Sequence, residues 1–208
     1  MDLYKAIDQR RTIRDLQDKE LPTELIEKII NAGLKAPTND HLRSWEFVVF
    51  TDKEEKAELI HKIPKKFTKK QVEAFLDRYQ MTDSCQREMY TDGVPKQYSM
   101  LYHSGCIILP FFRQDGPILK PKSINDLNGF ASIWCCIENI FLAAAAEGLG
   151  AAFRIPFAKE TKYLQELIGH PDNYVMPCYI ALGYPMENAV INSQHVIKAK
   201  DRIHKNKW

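Results

Sequence analysis

Residues 131–150, ASIWCCIENIFLAAAAEGLG, constrain the fold of this chain more than any other stretch. Large and small side chains alternate there over about five helical turns, and the composition is almost wholly apolar. A helix formed here needs to lie against a core or a second chain, because an all-apolar helix has no face for water. The run Ala143 to Ala146 permits close approach of another backbone, and Gly148 and Gly150 end the helix. Short β-branched and aromatic runs supply a surface for it to cover. EFVVFT (residues 46–51) and GCIILPFF (105–112) read as strands buried on both faces, and YVMPCYIALGY (174–184) as a third.

Other elements follow from capping and spacing. Asp2 is a good N-cap, and a first helix is predicted to run to about Arg10 with Leu3 and Ile7 on its buried side. A second begins near Pro22, carries Leu25, Ile26, Ile29, Ile30 and Leu34, and stops before Pro37. A shorter one covers 160–168 and ends at Gly169. Residues 55–100 are charge-rich with few large aliphatics after Ile63, and are expected to pack over the rest as a variable helical lid. The end, VIKAKDRIHKNKW, reads as an extended tail needing a partner surface. With no repeats or low-complexity linkers, 208 residues at 45% apolar content predict one α+β domain, a sandwich of sheet and helices whose strand order spacing does not fix.

Charge and motif spacing exclude several functions. A net charge of +2 offers no global field for nucleic acid or an anionic membrane. Neither a leader nor about 18 uncharged apolar residues in a row is present, so a cytoplasmic location is expected. Five cysteines without a C-x-x-C pair read as small core residues. Six histidines show no metal-ligand spacing, His103 with Cys106 offers only two ligands, and no metal is expected. G-x-S-x-G is absent, and Gly148-Leu149-Gly150 closes a helix where a dinucleotide fingerprint opens one. The lysines of HKIPKKFTKK read as a solvated helix face, and Trp45, Trp134 and Trp208 as contact residues.

One local concentration of charge remains: AIDQRRTIRD, residues 6–15, with three arginines in five positions. If the chain is extended after Arg10, then Arg10, Thr12 and Arg14 share a face, and two guanidiniums with a hydroxyl suit a phosphate and a polar chain attached to it. A plainer role for Arg10 and Arg11 is to complement the negative end of the first helix.

The arginines and the next thirty or so residues carry a resemblance. RRTIR, then LPTELIEKIINAGLKAPTNDHLRSWEFVVF, is similar to the opening of the FMN-dependent nitroreductase family, roughly R-R-S-x-R, a helix, A-P-S-x-x-N-x-Q-P-W and a strand. SIWCCIENIFLAAAAEGLGAAF resembles that family's central helix, and YIALGYP a later strand, while residues 55–100 find no counterpart. The resemblance implies a nitroreductase-like α+β fold, a mostly antiparallel sheet flanked by helices, in a homodimer that binds FMN between subunits. It implies electrons from NADH or NADPH reaching a small acceptor, a nitroaromatic or quinone, by ping-pong hydride transfer. Alternatives on the same fold are reductive dehalogenation, activated-alkene reduction, or flavin binding without turnover.

By the same resemblance Arg10, Arg11 and Thr12 fall on the phosphate and ribityl chain, and Arg14 beside the pyrimidine edge of the flavin. Pro37, Thr38, Asn39 and His41 fall in the loop that packs on the ring, and Lys200 and Arg202 on the phosphate. His41, Arg43 and Ser44 depart from the usual Asn, Gln and Pro. No protein side chain is assigned a catalytic acid or base role.

Overall fold

In the computed structural model residues 2–208 are described, and their strands form one antiparallel sheet: β1 (Trp45–Phe50), β2 (Cys106–Arg113), β3 (Gly150–Arg154), β4 (Tyr174–Val175) and β5 (Tyr179–Gly183). The order is β1-β2-β5-β3, with β4 beside the end of β2. β5 is buried throughout and β2 up to Arg113, because helices cover both faces of the sheet. That is why their sequences read as unbroken apolar runs although the pairing is antiparallel. The fold is the expected α+β sandwich.

Two strand expectations need correction. Residues 174–184 are two strands, interrupted where Pro177 has no N–H to give to a ladder. Gly150, read as part of a helix end, opens β3, which pairs with β5 from Gly150↔Gly183 to Arg154↔Tyr179. The helix itself ends earlier, at Ala146, with Gly148 in a left-handed conformation (φ 77°). A Cβ on Gly150 would lie 2.9 Å from both Ile13 and Leu16. The segment after the first helix is therefore laid directly on β3, with Ile13 N–H donating to Ala151 O at 3.0 Å.

On one face of the sheet lie α7 (Asn128–Ala146) and α2 (Thr23–Gly33). Ile133, Cys136, Ile137, Ile140, Phe141 and Ala144 form the buried face of α7. Its close backbone approach occurs at Gly33 of α2, where a Cβ would meet Ile140 Cγ1 at 2.7 Å. The other face carries α3 (Lys53–Leu59), α6 (Ser99–Tyr102) and α8 (Ala158–Ile168), with Leu59, Ile60, Met100, Leu101 and Leu164 packed on Ile107, Leu109 and Tyr179. α3 and α6 thus belong to the main core, contrary to the expectation that all of 55–100 packs over it. Between them α4 (Lys69–Arg78) and α5 (Ser84–Gly93) gather around a small core of their own, Val72, Leu76, Met81 and Val94.

The first helix, α1 (Leu3–Gln9), has the predicted cap, Asp2 accepting from Tyr4 N–H at 3.3 Å. Its apolar side faces outward, however: Leu3 is 60% and Ile7 46% exposed, and Ala6 alone is buried. The segment Ile124–Ala146, which contains α7, is long and apolar enough to cross a membrane by length and composition alone, yet Glu138 interrupts it and one face of the helix lies in the core. The tail from Val196 is exposed and irregular but for one turn at Ala199–Asp201. Cys106, Cys136 and Cys178 are core residues as expected; Cys85 is half-buried and Cys135 exposed. Trp45 is a core residue and Trp134 packs on Phe130 and Phe153.

Candidate functional site

Where α1 ends, its last carbonyls need donors, and Arg11 supplies them: its Nη1 donates to Asp8 O and Arg10 O, each at 2.7 Å. That is the helix-end role. Arg10 turns instead toward α7, where its Nε lies 3.4 Å from Oε1 of Glu138. Arg10, Arg11 and Ile13 line a cleft of about 260 Å³, with Phe141, Leu149 and Ile191 among its other lining residues. Thr12 lies beside Ala151 of β3.

Arg14 goes elsewhere, beneath the C-terminal end of α5. A Cβ on Gly93 would stand 3.0 Å from its Cζ and 3.2 Å from its Nε, so the helix comes this close because residue 93 has no side chain. Burial pulls the Arg14 pKa down, opposed by Asp92, Tyr90 and Asp15 nearby. Among the described residues its Nε is the one buried side-chain donor with no hydrogen-bond partner. An unfilled donor on a buried cation is costly unless something accepts from it.

The surroundings of Arg14 are fixed by a charged network. Lys96 Nζ lies 2.7 Å from Asp15 and 2.5 Å from Asp92, and Asp15 also accepts from Val190 N–H at 3.0 Å. Burial raises the Asp15 pKa, but hydrogen bonds from Lys96 and Val190 and the charges of Lys96 and Arg14 outweigh it and hold the carboxyl below its ordinary range. Burial likewise lowers that of Lys96, and its two carboxylate partners win in the opposite direction. One network therefore ties the arginine segment, the end of the lid and the chain near Val190 together.

The remaining expected residues lie apart. Pro37, Thr38, Asn39 and His41 follow α2 and sit near the first turns of α7: Asn39 N–H donates to Ser132 Oγ at 3.0 Å, and Ser132 Oγ donates to Asn128 O at 2.8 Å. Asp40, His41 and Arg43 all hold positive φ, 49°, 52° and 48°, a cost of about 1–3 kcal/mol each that a surrounding structure has to impose. Ser132 and the cleft residue Phe141 are nine residues apart on α7, about 14 Å. Lys200 and Arg202 are exposed in the tail and bonded to no residue of the cleft. One chain thus brings Arg10 and Arg11 together at the cleft, sets Thr12 against β3 and Arg14 under α5, and leaves the loop and the tail outside.

Glu138, Asp15, Asp92, Gly93 and Lys96 were not singled out in the sequence. Glu138 carried a signal: it is the only charged residue of α7.

A model of the nitroreductase family matches residues 7–184, and the chain belongs to that family. The match spans residues 7–184, and the tail bearing Lys200 and Arg202 lies beyond it. A protein of Methanothermobacter thermautotrophicus with the provisional name NADH dehydrogenase/NAD(P)H nitroreductase is 29% identical over 212 residues, covering 100% of this chain and 88% of its own. An iodotyrosine deiodinase of Haliscomenobacter hydrossis is 27% identical over 188 residues, covering 90% and 81%. The crystal structure of a nitroreductase with bound FMN from Bacteroides fragilis superposes with a TM-score of 0.64 at 25% identity over 96% of each chain. The chain is thus a member of a family of oxidoreductases and flavoproteins.

Proposed function

We propose that this chain is an FMN-dependent oxidoreductase that takes electrons from NADH or NADPH and reduces a small acceptor, a nitroaromatic or a quinone, as a homodimer. The observation that carries the reading is the buried, unpartnered Nε of Arg14, which lies under α5, four positions along the chain from the cleft residue Arg10. It calls for a fixed acceptor atom, and the pyrimidine edge of a flavin, all carbonyl oxygen and ring nitrogen, has the right chemistry. FMN supplies two-electron chemistry between a nicotinamide donor and the acceptor. Arg10, Arg11 and Thr12 hold its phosphate and ribityl chain with forked donors and a hydroxyl. Arg14 places a positive charge where the reduced ring collects negative charge, which favours reduction.

A second copy completes the site. The cleft is smaller than the roughly 300–1,000 Å³ of pockets that hold a whole ligand. Pro37, Thr38, Asn39 and His41 then come from the partner, and Lys200 and Arg202 arrive with the tail. Exposed Leu3, Tyr4 and Ile7 on α1 form the apolar patch such a partner buries.

The deiodinase relative favours a second reading, reductive removal of halide from an aromatic substrate on the same site. Steady-state rates with NADH or NADPH against a nitroaromatic, a quinone and 3-iodotyrosine separate the two. Parallel double-reciprocal lines with the first two acceptors support the proposal; lines that intersect through a ternary complex contradict it. Halide release outpacing both moves the assignment to the second reading.

A further inference from the structure

Residues 193–195, which follow the cleft residue Ile191 but do not line the cleft, lie against the first turn of α5 and are held there by side chains more than a hundred positions away. Cys85 Sγ donates to Ser193 O at 2.9 Å, Ser193 Oγ donates to Glu88 at 3.3 Å, and His195 Nε2 lies 3.0 Å from Asp83 Oδ2. Asp83 is the N-cap of α5. Its Oδ1 accepts from Gln86 N–H at 2.8 Å, which aims Oδ2 in a fixed direction. The ligand atoms of Asp83, Cys85 and His195 all fall within 4.8 Å of one another.

We propose that Asp83, Cys85 and His195 bind a divalent transition-metal ion, zinc first, as a clasp between α5 and the C-terminal segment. Oxygen, sulfur and imidazole nitrogen bind zinc at about 2.0–2.3 Å, so tetrahedral geometry sets ligand atoms roughly 3.3–3.6 Å apart. The Asp83–His195 separation, 3.0 Å, is already close to that, and Cys85 needs only to release the Ser193 carbonyl and turn its thiol inward. The charges balance: one carboxylate, one thiolate and a neutral imidazole neutralise a dication, the thiol proton passing to solvent. Thiolate with imidazole selects zinc over magnesium or calcium, which prefer all-oxygen shells. The Gln86 amide on Asp83 Oδ1 is an outer-shell partner of the kind that orients metal ligands. Solvent supplies the fourth position, since Asp83 and His195 are both exposed.

Spacing along the chain hides such a site. Asp83 and Cys85 bracket one residue at a helix start, while His195 comes from 112 positions beyond Asp83. The ion would fix the chain five residues before Lys200, and so where the basic tail begins. The proposal does not depend on the flavin reading, and its test does not use turnover.

The untagged full chain, freed of metal by chelator and dialysis, is titrated with zinc against a chromophoric competitor and separately with cobalt(II). One zinc per chain and a thiolate-to-cobalt absorption band are expected. Cys85→Ser should remove the band, and both it and His195→Ala should weaken zinc about tenfold or more. Cys135→Ser, a change at the exposed cysteine outside the cluster, should leave both signals intact. Unchanged melting of each variant guards against misfolding. Zinc held no tighter by the wild type than by Cys85→Ser and His195→Ala, or a cobalt form without the thiolate band, overturns the proposal.

Discussion

Arg10 and Arg14 are four positions apart, and their settings assign them different tasks. Arg10 is half-exposed and weakly paired with Glu138, free to turn its donors to a phosphate. Arg10→Ala should weaken FMN binding by about tenfold or more, as expected when one charge-assisted hydrogen bond is removed, read by fluorescence titration. Arg14 is half-buried with its Nε closed off under α5, so Arg14→Ala should retain some FMN while its reduction potential falls, measured by equilibration with a reference dye. An unchanged potential would remove Arg14 from the ring. Asp15 makes the same point through pH. Its folded-state pKa lies below the ordinary 3.8, so the stability it adds is complete above that value and is lost as pH falls through the depressed one. The melting gap between wild type and Asp15→Asn should therefore hold at neutral pH and close in acid; a gap that widens in acid would contradict the network. The three arginines were legible in sequence because like charge so concentrated is rare. Their surroundings were not: Asp92, Gly93 and Lys96 lie about 80 positions downstream and meet Arg14 or its neighbour Asp15 only through the fold.

Among the elements, α2, α7 and α8 were legible from apolar spacing and capping, since each carries a long periodic face and a clear stop; Gly169, left-handed at φ 66°, closes α8. β3 was not. Its sequence, GAAFR, has little apolar bulk, and it is a strand because β5 and the arginine segment pair with it. The outward face of α1 was misread for a related reason: periodicity shows that a helix has an apolar side but not whether the same chain covers it. β3 and α8 are joined by a buried pair in which the Arg154 guanidinium donates to both oxygens of Glu160, one at 2.7 Å. Glu160→Ala leaves the guanidinium buried and unpaired and should cost about 3–5 kcal/mol in urea unfolding. Gly33→Ala forces a methyl against Ile140 and should cost about 1–3 kcal/mol. A neutral result at Gly33 would mean that α2 and α7 can separate without loss.

At the scale of the whole molecule, the exposed apolar side of α1 and the separation of loop 37–41 from the arginines are what the proposed second chain would account for. The family and the α+β sandwich could be read from sequence because the motifs occur in order from residue 7 to 184. The proposed division of the site between two chains rests on the resemblance alone, since no spacing rule tells which copy a loop serves. Ile7→Glu, which sets a charge in the exposed patch, should yield monomers that hold FMN weakly; a variant dimer with wild-type affinity would place the interface elsewhere. The most direct measurement is sedimentation velocity of the wild-type protein after FMN is added and the excess removed, followed at a flavin wavelength and in the ultraviolet. Flavin absorbance moving with a species of two chains is the expected result. Flavin carried by a monomer would contradict the shared cleft, and protein that sediments without flavin would contradict the cofactor itself.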